Sequence, residues 1–171
     1  MMLSEENYET PEVLKHLYAL IGSIASTWSH IEQSVDVTLW WLAGLEAEIG
    51  ACLTAQIQSL GYRLDALVAI VELRRGSKEL VKTINKFRGK ADLLVRKRNR
   101  VAHDPISSND GEEPAAITIT AQKTLTYGFS FGKTEEYTKI KNEVAQLLSQ
   151  YLAIDKNIRI EFARTSHLRD G

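Results

Sequence analysis

The feature that most constrains the fold is an unbroken heptad pattern of mostly apolar residues near the N-terminus. Its members step alternately by three and four positions: Leu14, Leu17, Ile21, Ile24, Trp28, Ile31, Val35, Thr38 and Leu42. This spacing places them all on one face of an α-helix. Thr10 as N-cap and Pro11 at the first helical position mark the start. The sequence therefore predicts one helix over residues 11–45, roughly 50 Å long at about 1.5 Å per residue.

Three further segments have helical periodicity. We predict a second helix from residue 46 or 51 to residue 73, after a connection punctuated by Gly44 and Gly50, with Gly76 in the left-handed conformation beyond its end. Ser77 opens a third helix that must stop by His103, because the following Asp-Pro pair disfavours helical geometry. The last helix spans about 134–153, and residues 158–162 either continue it or form a short strand.

These segments predict a single domain over residues 1–171 with an all-α fold class. We expect an antiparallel four-helix bundle whose core covers about residues 11–155. Residues 117–120 and 125–131 alternate with period two and are rich in β-branched and aromatic side chains. They predict a short β-hairpin at about 115–131, inserted before the last helix.

Composition narrows the cellular setting. The chain has one cysteine, Cys52, which excludes an internal disulfide and is expected to be a buried thiol in an apolar helical run. No stretch approaches eighteen uncharged apolar residues, and the acidic first residues lack the apolar core of a signal peptide. We expect a cytoplasmic protein without a membrane partner.

The overall charge of −1 hides a strong asymmetry. From Arg74 to Arg100 the chain carries eleven lysines and arginines against Glu79 and Asp92, a net charge of +9. Such a run forms either a solvated helix face or a binding surface for a phosphate backbone. Both interpretations stay open at the level of sequence.

The basic run ends in Arg98-Asn99-Arg100-Val101-Ala102-His103. Arginine offers a planar, charged fork for phosphate, and histidine exchanges a proton near neutral pH. Together they supply what RNA cleavage through the ribose 2′-hydroxyl requires, which is proton transfer and charge stabilisation at phosphorus. The histidines and cysteine show no metal-ligand spacing, so neither a metal nor another cofactor is expected.

The spacing of this motif imposes a geometric condition. Five residues along a regular helix amount to about 500°, so Arg98 and His103 differ by roughly 140°. Arg98 lies on, or beside, the apolar stripe of its helix, on the side opposite Lys82, Lys86 and Lys90. Either the helix end turns His103 inward or two subunits complete one site.

The R-N-x-x-x-H pattern resembles that of the HEPN family of small all-helical domains. The resemblance implies a homodimer whose paired motifs line one cleft, and a metal-independent endoribonuclease acting as a toxin or phage-defence effector. An antitoxin or other regulatory protein is an implied partner, besides RNA. The resemblance assigns catalytic positions to Arg98, His103 and Asn99. Arg96, Lys97 and Arg100 would add affinity for the RNA backbone.

Several alternatives accompany this resemblance. Arg96 could replace Arg98 as the motif arginine. Residues 28–32 resemble a segment of the family's first helix, in which Glu32 either pairs with Arg98 in support of the site or points outward. Pro105 stands where some toxin members carry a tyrosine, which argues against that subgroup. The alternative functions are a non-catalytic nucleotide-binding, RNA-binding or dimerisation module, and a structural adaptor that acts through the first helix.

Overall fold

A computed structural model describes residues 12–107, 115–121, 125–131 and 134–166. The strands at residues 106–107, 115–121 and 125–131 form one antiparallel sheet in chain order, with Ala115 opposite Phe131 and Ala121 opposite Leu125. The elements are α1 (Glu12–Ala43), α2 (Ala47–Thr54), α3 (Leu60–Leu73), α4 (Lys78–His103), β1 (Ile106–Ser107), β2 (Ala115–Ala121), β3 (Leu125–Phe131) and α5 (Thr134–Ser166).

One apolar core lies between α1, α3, α4 and α5. Every buried side chain among those described belongs to a helix, and the stripe predicted for α1 supplies a large share of them. Because each fully buried Leu, Ile, Val or Phe contributes about 1.5–3 kcal/mol, this shared core holds the helices together. The predicted helical fold class and helical bundle are confirmed.

The direction of the helices differs from the prediction. Lys97 Nζ lies 2.7 Å from Glu143 Oε2 and Lys90 Nζ lies 2.9 Å from Gln150 Oε1, so α4 and α5 run antiparallel. By contrast, Thr38 pairs with Asp155 while Trp41, one turn later, meets Arg159. α1 and α5 therefore run in the same direction.

α3 also runs parallel to α1. Arg63, near its start, contacts Asp36, and Arg74, just past its end, donates to the carbonyl of Leu42 at 2.9 Å. The expected antiparallel arrangement is thus wrong for α1 with α3 and with α5. The physical reason lies in α2, which leads the chain back along α1 before α3 begins and so acts as a return connection.

The predicted second helix is interrupted. Residues 55–59 separate α2 from α3, and the Ser59 side chain accepts a hydrogen bond from Tyr62 N as the N-cap of α3. Gly50 lies inside α2 under the Trp40 ring rather than in a linker. Cys52 is exposed on the outer side of this short helix, so its expected burial is wrong.

Helix ends follow local chemistry. Gly44 ends α1 with a φ of 66°. After α3 the left-handed residue is Arg75, with a φ of 61°, and not Gly76 as predicted. Helix α4 stops at His103 as predicted, and α5 continues without a break through residues 158–162. The predicted start at Thr10 and Pro11 lies outside the described residues.

No described helix combines the length and the apolar character needed to cross a bilayer.

Candidate functional site

The motif residues lie at the C-terminal end of α4. The Arg98 side chain is half-buried, and its Cζ lies 5.9 Å from the centroid of the Trp28 ring, within the range of a cation–π contact. Its Nη1 donates to Asn99 Oδ1 at 3.0 Å. The motif arginine of α4 thus packs against an aromatic ring supplied by helix α1.

The Nε of Arg98 is buried and has no hydrogen-bond acceptor within the described part of the chain. A buried donor left without an acceptor costs about 1–3 kcal/mol. Because this nitrogen is enclosed, an external carboxylate or phosphate oxygen would have to approach the outer edge of the guanidinium, where a charge-assisted hydrogen bond can form. Arg98 is therefore held by Trp28 and Asn99, and its enclosed Nε lacks an acceptor among the described residues.

Trp28 is itself held in place by a series of polar contacts. Its ring is 1% exposed, and its Nε1 donates to Glu32 Oε1 at 3.1 Å. The other oxygen of Glu32 lies 3.7 Å from Arg63 Nη1. The alternative in which Glu32 pairs with Arg98 is therefore not the observed one, because Arg63 from α3 pairs with Glu32 instead. Glu32 acts on Arg98 only indirectly, through the tryptophan between them.

Arg63 also reaches a second acid on α1. Its Nε lies 3.2 Å from Asp36 Oδ1, and both side chains are only 15% exposed. Burial raises the pKa of Asp36 and nearby Glu32 raises it further, while Arg63 and the Thr54 hydroxyl lower it. Arg63 was not among the residues predicted from the sequence. Its signal was the pair Glu32 and Asp36, which one turn of α1 places together beside the apolar stripe and which requires a cation.

His103 is the last residue of α4 and is exposed. The helix stays regular up to that point, and Asp104 N donates to the carbonyl of Arg100 at 2.9 Å. The helix end therefore does not turn His103 toward Arg98. Since about 140° separate the two positions, Arg98 faces the bundle and His103 faces outward.

The three flanking cations have different environments. Arg96 is exposed and forms no ion pair with any described residue. Lys97 pairs with Glu143 at 2.7 Å, and Arg100 Nε lies 3.6 Å from Asp104 Oδ2. Arg96 points to solvent whereas Arg98 packs on Trp28, so the two arginines available as the motif residue are physically distinct.

Comparisons with protein-family models, with characterised proteins and with solved structures found no match for this chain.

Proposed function

We propose that the chain is a metal-independent endoribonuclease of HEPN type, active as a homodimer. The observation that carries the proposal is the way in which the Arg98 side chain is held. Its guanidinium is held by an aromatic ring and a neighbouring amide, and its enclosed Nε has no acceptor among the described residues. This arrangement suits a phosphate oxygen, since a pre-oriented donor costs no reorganisation when charge develops in the transition state.

In the proposed mechanism His103 transfers a proton at the ribose 2′-hydroxyl or at the leaving oxygen. The 2′-oxygen attacks the adjacent phosphorus and the bond to the 5′-oxygen breaks, which leaves a 2′,3′-cyclic phosphate and a 5′-hydroxyl. Arg98 stabilises the charge on the equatorial oxygens, and Asn99 orients substrate or the second subunit's motif. Arg96, Lys97 and Arg100 hold the flanking backbone.

The direct test is RNA cleavage by purified protein in excess EDTA. We expect the wild type to cleave and His103→Ala to lose about 10²–10⁴-fold in rate. His16→Ala is the matched control, because His16 is equally exposed but lies on α1. Arg98→Lys should also fail, since an ammonium keeps the charge and loses the planar fork. Cleavage that requires added metal, or an active His103→Ala, would contradict the mechanism.

The outward position of His103 leads us to propose a site completed by two subunits. In a two-fold dimer, Arg98 of one subunit would act with His103 of the other. Mixing inactive Arg98→Ala with inactive His103→Ala forms heterodimers that hold one intact composite site. Recovered cleavage is the expected result. A mixture that stays inactive although heterodimers form would contradict the shared site.

The angular separation of Arg98 and His103 on α4 also favours a second candidate, a non-catalytic binding module. If Arg98 and His103 never meet, Arg98 still offers a half-buried guanidinium to an anion. RNA binding that is lost in Arg98→Ala, in a protein without turnover, would identify this function. The setting as a toxin or phage-defence effector with an antitoxin belongs to the first candidate.

A further inference from the structure

The solvent side of α4 carries two groups of cations, one in the first third of the helix and one in the last. The cations that share this side are named here the α4 cationic face: Lys78, Lys82, Lys86, Arg96, Lys97 and Arg100. On a helical projection they fall within about 100° of one another, opposite the buried stripe. The face ends beside His103.

Three cations of this face pair with acids, which are Lys82 with Glu79, Lys97 with Glu143 of α5 and Arg100 with Asp104. Asp92 is turned toward α3 and pairs with Arg88, whereas Glu79 lies at the far end next to Lys82, and both members of that pair are highly exposed. Lys78, Lys86 and Arg96 form no ion pair with any described residue. Exposed pairs contribute little, so their cations remain available to a polyanion.

Gly89 lies near the middle of the same face. It is an exposed residue in the interior of α4, where glycine destabilises a helix relative to alanine. A Cβ at this position would meet no atom of the described residues within 4 Å, so their packing gives no reason for a glycine. A missing side chain allows a ligand backbone to approach the helix closely.

We infer that the α4 cationic face is a track for the backbone of single-stranded RNA, running from His103 across Gly89 toward Lys78. The inference rests on the proposed function and names its substrate class. From Lys82 to Arg100 the helix rises about 27 Å, which is long enough for several consecutive phosphates of a single strand to contact its cations. An acidic protein would need apolar anchors, and on this face only Leu93 is an exposed large hydrophobic residue.

The test measures binding rather than cleavage. Fluorescence anisotropy with a 12-nucleotide 2′-O-methyl RNA, which lacks the attacking hydroxyl, follows the dissociation constant against salt. Six phosphate contacts predict a slope of log affinity against log salt of about −4. Lys82→Gln with Lys86→Gln should make the slope shallower by about 1.4 and weaken binding roughly 10- to 30-fold near 0.1 M salt. Lys156→Gln, at an exposed lysine on α5, should leave both unchanged.

The length of the RNA and the size of the side chain at position 89 give two further tests. A 4-nucleotide RNA should bind at least tenfold more weakly than the 12-nucleotide RNA, because its roughly three phosphodiesters can neutralise only some of the cations on the face. Gly89→Leu should weaken binding several-fold, while Gly22→Leu, at an equally open helical glycine of α1, should not. Unfolding midpoints of all variants within a few degrees of wild type would exclude misfolding as the cause.

The outcomes separate the track from the proposed function. A salt slope unaffected by the double lysine variant, or equal affinity for a 12-residue oligoglutamate, would overturn the track whatever the cleavage result. Wild-type affinity in Gly89→Leu would overturn the path across the glycine. Tight, salt-dependent binding by a protein that cleaves no RNA in EDTA would support the track and overturn the nuclease.

Discussion

The phenol of Tyr151 donates a hydrogen bond to Thr38 Oγ1 at 2.8 Å in the middle of the core. Thr38 in turn lies 2.7 Å from Asp155 Oδ1 and 2.8 Å from the carbonyl of Ser34. Burial raises the pKa of Tyr151, so the phenol remains a protonated donor. This hydrogen-bond network connects α1 to α5 inside the apolar core. Its hydrogen bonds strengthen one another, so the loss of one weakens the others.

We predict that Thr38→Val destabilises the fold more than Tyr151→Phe does. The valine removes the acceptor and leaves a buried phenol unsatisfied, a loss of about 1–3 kcal/mol. The phenylalanine removes only a donor, a loss of about 1 kcal/mol, because Thr38 keeps its other partners. Urea unfolding measures both free energies. In the double variant the two losses should be less than additive, and strict additivity would contradict a shared bond.

The raised pKa of Asp36 predicts a pH-dependent effect of Asp36→Asn. The folded-state pKa lies above the unfolded value of about 3.9, so the contribution of Asp36 is fully present below that value. It is lost as pH rises through the folded pKa, because the carboxylate must then ionise where it is buried. Asparagine does not titrate. The stability of Asp36→Asn relative to wild type should therefore increase from pH 3.5 to pH 7 in urea unfolding, and a decrease would contradict the assignment.

The turn between α3 and α4 gives opposite predictions for two neighbouring residues. Arg75→Gly should stabilise the fold by about 0.5–1 kcal/mol, because it removes a left-handed side chain. Gly76→Ala should destabilise it by about 1–3 kcal/mol, since its Cβ would lie 2.6 Å from Val71 Cγ1 and 3.0 Å from Phe162 Cζ. Thermal unfolding measures both. A stabilising Gly76→Ala would show that the neighbours yield easily.

Periodicity predicted the long helices because each buries one continuous apolar stripe. It did not predict the break at residues 55–59, since Leu53, Ile57 and Leu60 keep a helical spacing across the break. Periodicity also did not predict the direction of α3. That direction depends on where α2 packs, which is decided by the contact of Gly50 with Trp40 and by the Thr54 hydroxyl that accepts from Trp40 Nε1.

The site was predictable in part for a similar reason. The position of Arg98 on the apolar stripe indicated an inward arginine, and the structure agrees in placing it against the bundle. The identity of its neighbour was not predictable, because Glu32 could reach either Arg98 or Arg63 from its place on α1. Only the packing of α3 against α1 decides between these two cations.

The contact between Trp28 and Arg98 leads to a last prediction, which concerns a positioning residue. Trp28→Phe keeps an apolar ring but weakens the cation–π contact and removes the Nε1 hydrogen bond to Glu32. A contact of about 0.5–1 kcal/mol corresponds to a roughly 2- to 5-fold lower kcat for RNA cleavage. The affinity for non-cleavable RNA should stay within twofold of wild type, since the α4 cationic face is untouched.

Trp40→Phe is the matched control for that experiment. Trp40 lies on the same helix and also donates its Nε1 hydrogen bond, to Thr54 at 3.2 Å, but no contact joins it to Arg98. Both variants should lose comparable stability in urea unfolding, because each forfeits one indole hydrogen bond. Only Trp28→Phe should lower kcat. Equal loss of kcat in both variants would mean that the effect comes from weakened packing of α1 and not from the position of Arg98.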